Sequence, residues 1–223
     1  MASEAQCLEA AFGKLSPDER PLIRVAGANW ERASELAREV VRMGVSGLMS
    51  FGVAGGLHPS YGMGDILVPS VVQNEAGEKI QIDDRWQQAL DELYGATGNL
   101  WSGPMLTVDR VLALAEEKAE AYRETQAVGV DMESYPVAEV AREMELPFAV
   151  LRVVFDAADR DLPELSLRVI NQDGTINPGR VVGELLRNPR ELGPIISVGI
   201  KAGNAKRKMK AMALGGLPFF GLL

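Results

Sequence analysis

A chain of 223 residues, 47% apolar and 24% charged, holds enough apolar material for one domain with a sizeable core. A net charge of −8 argues against a nucleic-acid groove, which needs a basic face for the phosphates. The single cysteine, Cys7, excludes an intrachain disulfide, and the single histidine, His58, excludes a zinc site of several Cys and His ligands.

A Ser-His-Asp triad would have to use His58, and no G-x-S-x-G elbow accompanies it. The first nine residues do not read as a signal peptide, and the apolar-leaning stretch 45–57 is too short to span a bilayer. With one cysteine, a reducing, cytoplasmic location is the expectation.

In chain order, 22–26 (LIRVA) reads as a short strand. Residues 30–43 read as a helix, with Ala33, Leu36, Ala37, Val40 and Val41 at helical spacing. A buried strand over 45–52 runs into the glycine-rich turn 53–56. Residues 66–72 (ILVPSVV) form a further strand, followed by a polar hairpin around Gly77. The pattern predicts a helix over 83–94 with Asp83 or Asp84 as N-cap, a strand over 100–106 and a helix over 111–122. A short extended piece at 128–130, a helix over 133–144 and a strongly apolar strand over 148–155 follow. From Pro163 the pattern is helical, with a loop at 171–178. Strands alternating with helices indicate an α/β chain: a three-layer α/β/α domain over 1–223 with a mixed, mainly parallel central sheet. Ligands in such sheets sit where strand ends meet loops.

Two segments stand out chemically. In the first, Ser50-Phe51-Gly52-Val53-Ala54-Gly55-Gly56-Leu57 precedes Gly64-Asp65-Ile66-Leu67-Val68-Pro69. Glycines at a strand end let backbone approach a ligand closely, and exposed N–H groups there hold anions or sugar oxygens. The same residues also suit a tight turn with no ligand. In the second, Val130-Asp131-Met132-Glu133-Ser134 opens a helix, and an apolar strand then delivers Asp156 at its carboxyl end. That topology can bring Glu133 and Asp156 to one edge of the sheet. Either acid alone is explained as well by a helix N-terminus or a loop cap.

Taken together and in order, Ala54-Gly55-Gly56, Gly64-Asp65-Ile66-Leu67-Val68, Val130-Asp131-Met132-Glu133, Pro147-Phe148-Ala149-Val150-Leu151-Arg152 and Asp156-Ala157-Ala158-Asp159 resemble the nucleoside phosphorylase superfamily that includes methylthioadenosine/S-adenosylhomocysteine nucleosidase. The resemblance covers roughly 1–160, and five ordered matches are more specific than any one motif. It implies a purine nucleoside phosphorylase-like fold and cleavage of the bond between a purine and a ribose. The wording SFGVAGGL, VDMES and LPFAVLRVVFDAADR is most similar to the hopanoid-associated branch. The substrate proposed for that branch is adenosylhopane, and adenine is one product. A general methylthioadenosine/S-adenosylhomocysteine nucleosidase is the alternative within enzymes. A non-catalytic nucleoside-binding or membrane-associated protein is the alternative outside them.

The resemblance also implies roles. Asp156 matches the aspartate that protonates the departing purine, and burial is expected to suit it to that task. Glu133 matches the glutamate that holds the ribose hydroxyls, with Met132 against the sugar face. Asp131, Ala54 and Gly55 complete the substrate side. Met1-Ala2-Ser3-Glu4-Ala5 resembles the family's M-x-x-E segment with the preceding strand missing, and Glu4 then matches the water-activating glutamate of the nucleosidases. Arg24, Gly27 and Asn29, ahead of the helix at Trp30, fall on the phosphate or nucleophile side, where a helix N-terminus suits an anion. Family phosphorylases place an arginine and a serine around the central turn, where this chain has Ser50 and Val53, so both phosphorolysis and hydrolysis stay open. No metal or cofactor is expected beyond phosphate as a co-substrate, and a homo-oligomer is expected from the family.

Arg152, inside an apolar strand, needs a carboxylate partner. Asp159 is expected to bond the Asp156 loop, His58 to be a loop residue, and Trp30, Trp86 and Trp101 to serve core or interface. Residues 195–213 carry Lys201, Lys206, Arg207, Lys208 and Lys210 in an apolar, helix-compatible run, and 215–223 form an apolar tail. Such a helix either packs on the domain, the preferred reading, or lies on the inner face of a membrane, where it would meet a hopanoid lipid.

Overall fold

The structure, a computed structural model, describes residues 2–96, 99–162 and 192–216. The elements are α1 (Ala2–Phe12), α2 (Trp30–Arg42), β1 (Leu48–Gly56), β2 (Ile66–Leu67), β3 (Val71–Asn74), β4 (Lys79–Gln81), α3 (Asp84–Gly95), β5 (Leu100–Trp101), β6 (Pro104–Thr107), α4 (Ala115–Thr125), β7 (Gly129–Asp131), α5 (Ser134–Glu143), β8 (Phe148–Asp156) and α6 (Leu192–Gly215). The strands form one eight-stranded sheet in the order β4-β3-β6-β7-β1-β8-β2-β5. Parallel pairs (β1·β8, β3·β6, β6·β7, β2·β5) are mixed with antiparallel ones (β1·β7, β2·β8, β3·β4).

Helices cover the sheet because each has one apolar stripe to bury. α2 starts where Asn29 Oδ1 accepts from the Arg32 N–H at 2.8 Å, and it buries Ala33, Ala37 and Val40 at helical spacing. α3 starts where Asp83 accepts from the Trp86 N–H, and it buries Leu90 and Tyr94. α5 packs on β1, β3 and β8 and carries α2; α6 packs on β8 and carries α1. β8 is buried from Phe148 through Val154, as an apolar strand paired on both sides should be.

Five expectations are corrected. The strand expected over 45–52 begins at Leu48 and runs on through Gly56, so 53–56 lie in β1 and not in a turn. Residues 66–72 and 100–106 are each two short strands. Pro69 can donate no ladder bond, and Gly103 takes a φ of 152° before β6. The helix expected from 111 starts at Ala115, because the Glu117 carboxylate accepts from the Ala113 and Leu114 N–H groups and fixes the start there. Residues 22–26 are no strand, since they have no ladder partner. β1 meets β7 only at Gly55↔Val130 and Gly56↔Gly129, so among the described residues no strand pairs with the rest of that flank. A cavity of about 530 Å³ lies there, walled by β1, α1, α2 and the 20–27 segment, with Leu8, Phe12, Leu36 and Phe51 in its lining.

α1 was not foreseen. It buries Ala5, Cys7, Ala11 and Phe12, with the Cys7 thiol 3.7 Å from the Lys206 carbonyl. The C-terminal helix follows the packed reading: Ala205, Met209, Met212 and Ala213 are buried, while Lys206, Arg207 and Lys210 face outward. The Tyr94 hydroxyl donates to the Met212 carbonyl at 2.8 Å. The loop expected at 171–178 and the tail from 217 lie outside the described residues. Among the described residues no helix is long and apolar enough to cross a membrane.

Candidate active site

β1 and β8 carry the site between them. Their register runs evenly from Leu48↔Phe148 to Ala54↔Val154 and then shifts, so that Gly55 faces Asp156. Phe155 is the extra residue, and a bulge of this kind re-aims the side chain that follows it. The Asp156 carboxylate consequently lies beside Gly55: a Cβ there would sit 3.4 Å from Oδ1. That is an ordinary contact; the tighter neighbour of a Cβ at 55 would be Val130 Cγ1, at 3.1 Å.

A second group lies farther back along the same strands. Arg152 pairs with Gly52 in the register. Its Nε and Nη2 donate to Asp131 Oδ2 at 2.9 and 2.7 Å, and Nη2 also reaches Ser50 Oγ at 2.6 Å and Glu133 Oε2 at 3.3 Å. Asp131 accepts from Thr107 Oγ1 and Ser134 Oγ as well, so both of its oxygens are engaged by the protein. Arg152 thus has the carboxylate partner its sequence position demands. Glu4, carried in by α1, is 7% exposed and accepts from the Val53 N–H at 2.9 Å. It reaches β1 on the flank that β7 leaves unpaired.

Burial raises the Glu133 carboxyl above the ordinary glutamate range; Arg152 opposes this and Asp131 adds to it. A Cβ on Gly52 would lie 2.5 Å from Arg152 Nη1 and 2.6 Å from Glu4 Oε1. Gly52→Ala is expected to displace both and to lower kcat on the order of 10²-fold, read by steady-state kinetics on protein that still unfolds cooperatively.

Glu4, Ser50, Asp131 and Glu133 therefore converge on Arg152, while Ala54 and Gly55 lie beside Asp156. Gly52 and Gly55 are three positions apart, about 10 Å along a strand. The 530 Å³ cavity reaches Glu4, Ser50, Glu133 and Arg152, whereas Asp156 is not in its lining. Met132, between Asp131 and Glu133 in sequence, is half-buried. The nucleophile-side residues are occupied elsewhere. Arg24 lines the far wall of the cavity but donates to Glu39 at 2.9 Å. Asn29 caps α2, and Gly27 takes a left-handed φ of 68° in the turn before it.

Lys118 was missed by sequence reasoning. It is fully buried, and its ammonium donates to Asp156 Oδ2 and to the Ala157 and Arg160 carbonyls, the latter two at 3.1 and 2.9 Å. Asp159 is not the loop's anchor: its side chain is 72% exposed. His58 is a loop residue, stacked on Tyr61 and edge-on to Tyr122, and Tyr61 stacks on Trp101. Asp65 closes this loop by accepting from the Gly62 N–H and Trp101 Nε1. Among the described residues no cluster of His, Cys, Asp and Glu could hold a metal ion.

A search of curated protein sequences finds no match. Among solved structures the chain is similar to Campylobacter jejuni 5′-methylthioadenosine/S-adenosylhomocysteine nucleosidase, at 15% identity and TM-score 0.70 over 100% of this chain and 96% of that one. It is similar to the Helicobacter pylori enzyme of the same name at 19% and 0.62, over 71% of this chain and 83% of that one. Helicobacter pylori futalosine hydrolase gives 19% and 0.62, over 71% and 82%. At these identities the likeness is one of fold, the mixed α/β sheet described above. Residues 4–186 match the family described as the Phosphorylase superfamily, which takes in β1, β8 and both acidic groups, and the chain belongs to that superfamily.

Proposed function

We propose that this enzyme, a nucleoside phosphorylase/nucleosidase by family, hydrolyses the N-glycosidic bond of an adenosine-type nucleoside and releases adenine. The observation that carries the reading is the placement of Asp156 at the strand end beside Gly55, with the Glu4–Glu133–Arg152 group about 10 Å along the same strands. In the proposed reaction the C1′–N9 electron pair passes to the purine, which takes a proton from Asp156. Glu133 accepts from the ribose hydroxyls and favours the positive charge that grows on the sugar. Water adds to C1′ and gives its proton to Glu4.

Electrostatics favour water over phosphate. Among the described residues, three carboxylates, Glu4, Asp131 and Glu133, lie around the guanidinium of Arg152, which is already engaged. A phosphate dianion there would face a surplus of negative charge in a poorly solvated place. The cavity's outer basic groups are turned away: Arg24 to Glu39, and Arg20 to the Gly13 and Leu15 carbonyls.

Adenosylhopane is the substrate we propose, on the wording of 50–57, 130–134 and 146–160. Methylthioadenosine is the competing small substrate, on the fold shared with the nucleosidases. Adenine release measured from adenosylhopane, adenosine and methylthioadenosine separates them: turnover of methylthioadenosine with none of adenosylhopane would overturn the hopanoid assignment.

The raised Glu133 carboxyl has a pH consequence. The carboxylate is the working form, and the folded protein holds the proton more tightly than an ordinary glutamate does. kcat/KM is expected to fall on acidification with a midpoint above the ordinary glutamate range. Glu133→Gln should remove this limb while lowering turnover throughout, as a pH–rate profile will read.

A further inference from the structure

The inward face of α4 poses a problem that the proposed reaction does not absorb. Lys118 is the residue this helix buries, and it is fully buried. A buried ammonium is costly unless every donor is satisfied, and an apolar residue of similar length would pack there at lower cost. All three donors of Lys118 are in fact used, one on Asp156 Oδ2 and two on the Ala157 and Arg160 carbonyls. These three acceptors come from the strand end and the loop after it. The ammonium thus fixes both the carboxyl group and the backbone that carries it.

Among the described residues, the other charged groups near this point are engaged or face water. Glu117 is held by Arg110 and by the Ala113 and Leu114 N–H groups. Asp161 accepts from the Ala115 N–H at 2.7 Å. Asp159 and Arg160 are exposed and lie 3.9 Å from each other. From β7, Asp131 faces Arg152 instead. His58 stacks on Tyr61 and Tyr122. Among the described residues, Lys118 is thus a cation in direct contact with the Asp156 carboxyl.

We propose that Lys118 is a positioning residue for Asp156: it holds Oδ2 so that the carboxyl lies over Gly55, and it sets the pH at which that carboxyl carries its proton. The inference rests on the reading of Asp156 as the proton donor. A cation beside a carboxyl favours the ionised form, so removing it lets the acid keep its proton to higher pH. A residue that only filled space would not move a titration.

The test compares Lys118→Met, Lys118→Gln and Asp156→Asn by kcat, KM and pH–rate profile on adenine release, with thermal unfolding alongside. Lys118→Met is expected to lower kcat by about 10-fold or more with a smaller change in KM, and to move the alkaline limb upward by about one pH unit or more. In the double variant, Lys118→Met should cost nothing further once Asp156→Asn is present. If Lys118→Met does not fold, Lys118→Gln, which keeps a donor without the charge, is read by the same shift. A profile superimposable on that of the parent, with loss of stability alone, would overturn the inference while leaving Asp156→Asn inactive. Near-parental activity of Asp156→Asn would instead overturn the reading beneath it.

Discussion

Asp156→Asn is expected to lower kcat by about 10²- to 10⁴-fold, the span usual for removal of a general acid. An amide keeps the size of the carboxyl and one acceptor but has no acidic proton to give the purine. From the sequence alone, this substitution looks neutral for folding. The structure changes that expectation, because Lys118 would lose its counter-charge while keeping the Ala157 and Arg160 carbonyls. A stability loss of about 1–3 kcal/mol is therefore expected alongside the kinetic loss. Chemical denaturation and steady-state kinetics on the same preparation read both. A loss of stability with kcat within a few-fold of the parent would remove Asp156 from the chemistry.

Arg152→Met is expected to give the largest loss of stability of any single substitution at the site, about 3–5 kcal/mol. Methionine fills much of the arginine's volume, so the cost is electrostatic. Asp131 would be left buried without its cation, and Ser50, Ser134 and Glu133 would each lose a charged donor. Activity should fall with stability, because Glu133 is aimed by the same guanidinium. Replacing Asp131 and Arg152 together by apolar residues should recover part of the stability and none of the activity. A denaturation midpoint close to that of the parent for Arg152→Met would mean that the cluster is solvated and the burial argument is wrong.

Much of this site is legible in the sequence for identifiable reasons. An arginine inside PFAVLRVVF must find a carboxylate, and Asp131 supplies it from the neighbouring motif. β8 is a continuous apolar run because it is paired on both sides, which marks it as an interior strand. Residues 22–26 misled because propensity describes a chain's readiness to form a ladder, and a strand also needs an edge to join. The edge of β1 nearest to them lies across the cavity. α1 was legible in principle, since Ala5, Leu8 and Phe12 follow helical spacing with Cys7 and Ala11 beside them.

Lys118 was the hardest to read. It is one of several charged residues in AEEKAEAYRET, and its partner lies 38 positions away. The one local hint is its phase, three and four residues before Ala121 and Tyr122, which pack on the second apolar cluster. Nothing in the composition distinguishes it from Glu116 or Glu120, which point outward. The acceptor question was likewise closed to the sequence. Ser50 and Arg24 are polar enough for phosphate, and the sequence does not reveal that Ser50 is bonded to Arg152 and Ser134 within the site and Arg24 to Glu39.

The measurement that tests the central claim most directly is the fate of labelled water. Turnover of the nucleoside in ¹⁸O-water with inorganic phosphate present should release adenine and leave the label on the sugar hydroxyl, with a rate unchanged when phosphate is omitted. A sugar phosphate as the product, or adenine release that needs phosphate, would contradict the hydrolytic reading and return Ser50 and Arg152 to phosphate binding.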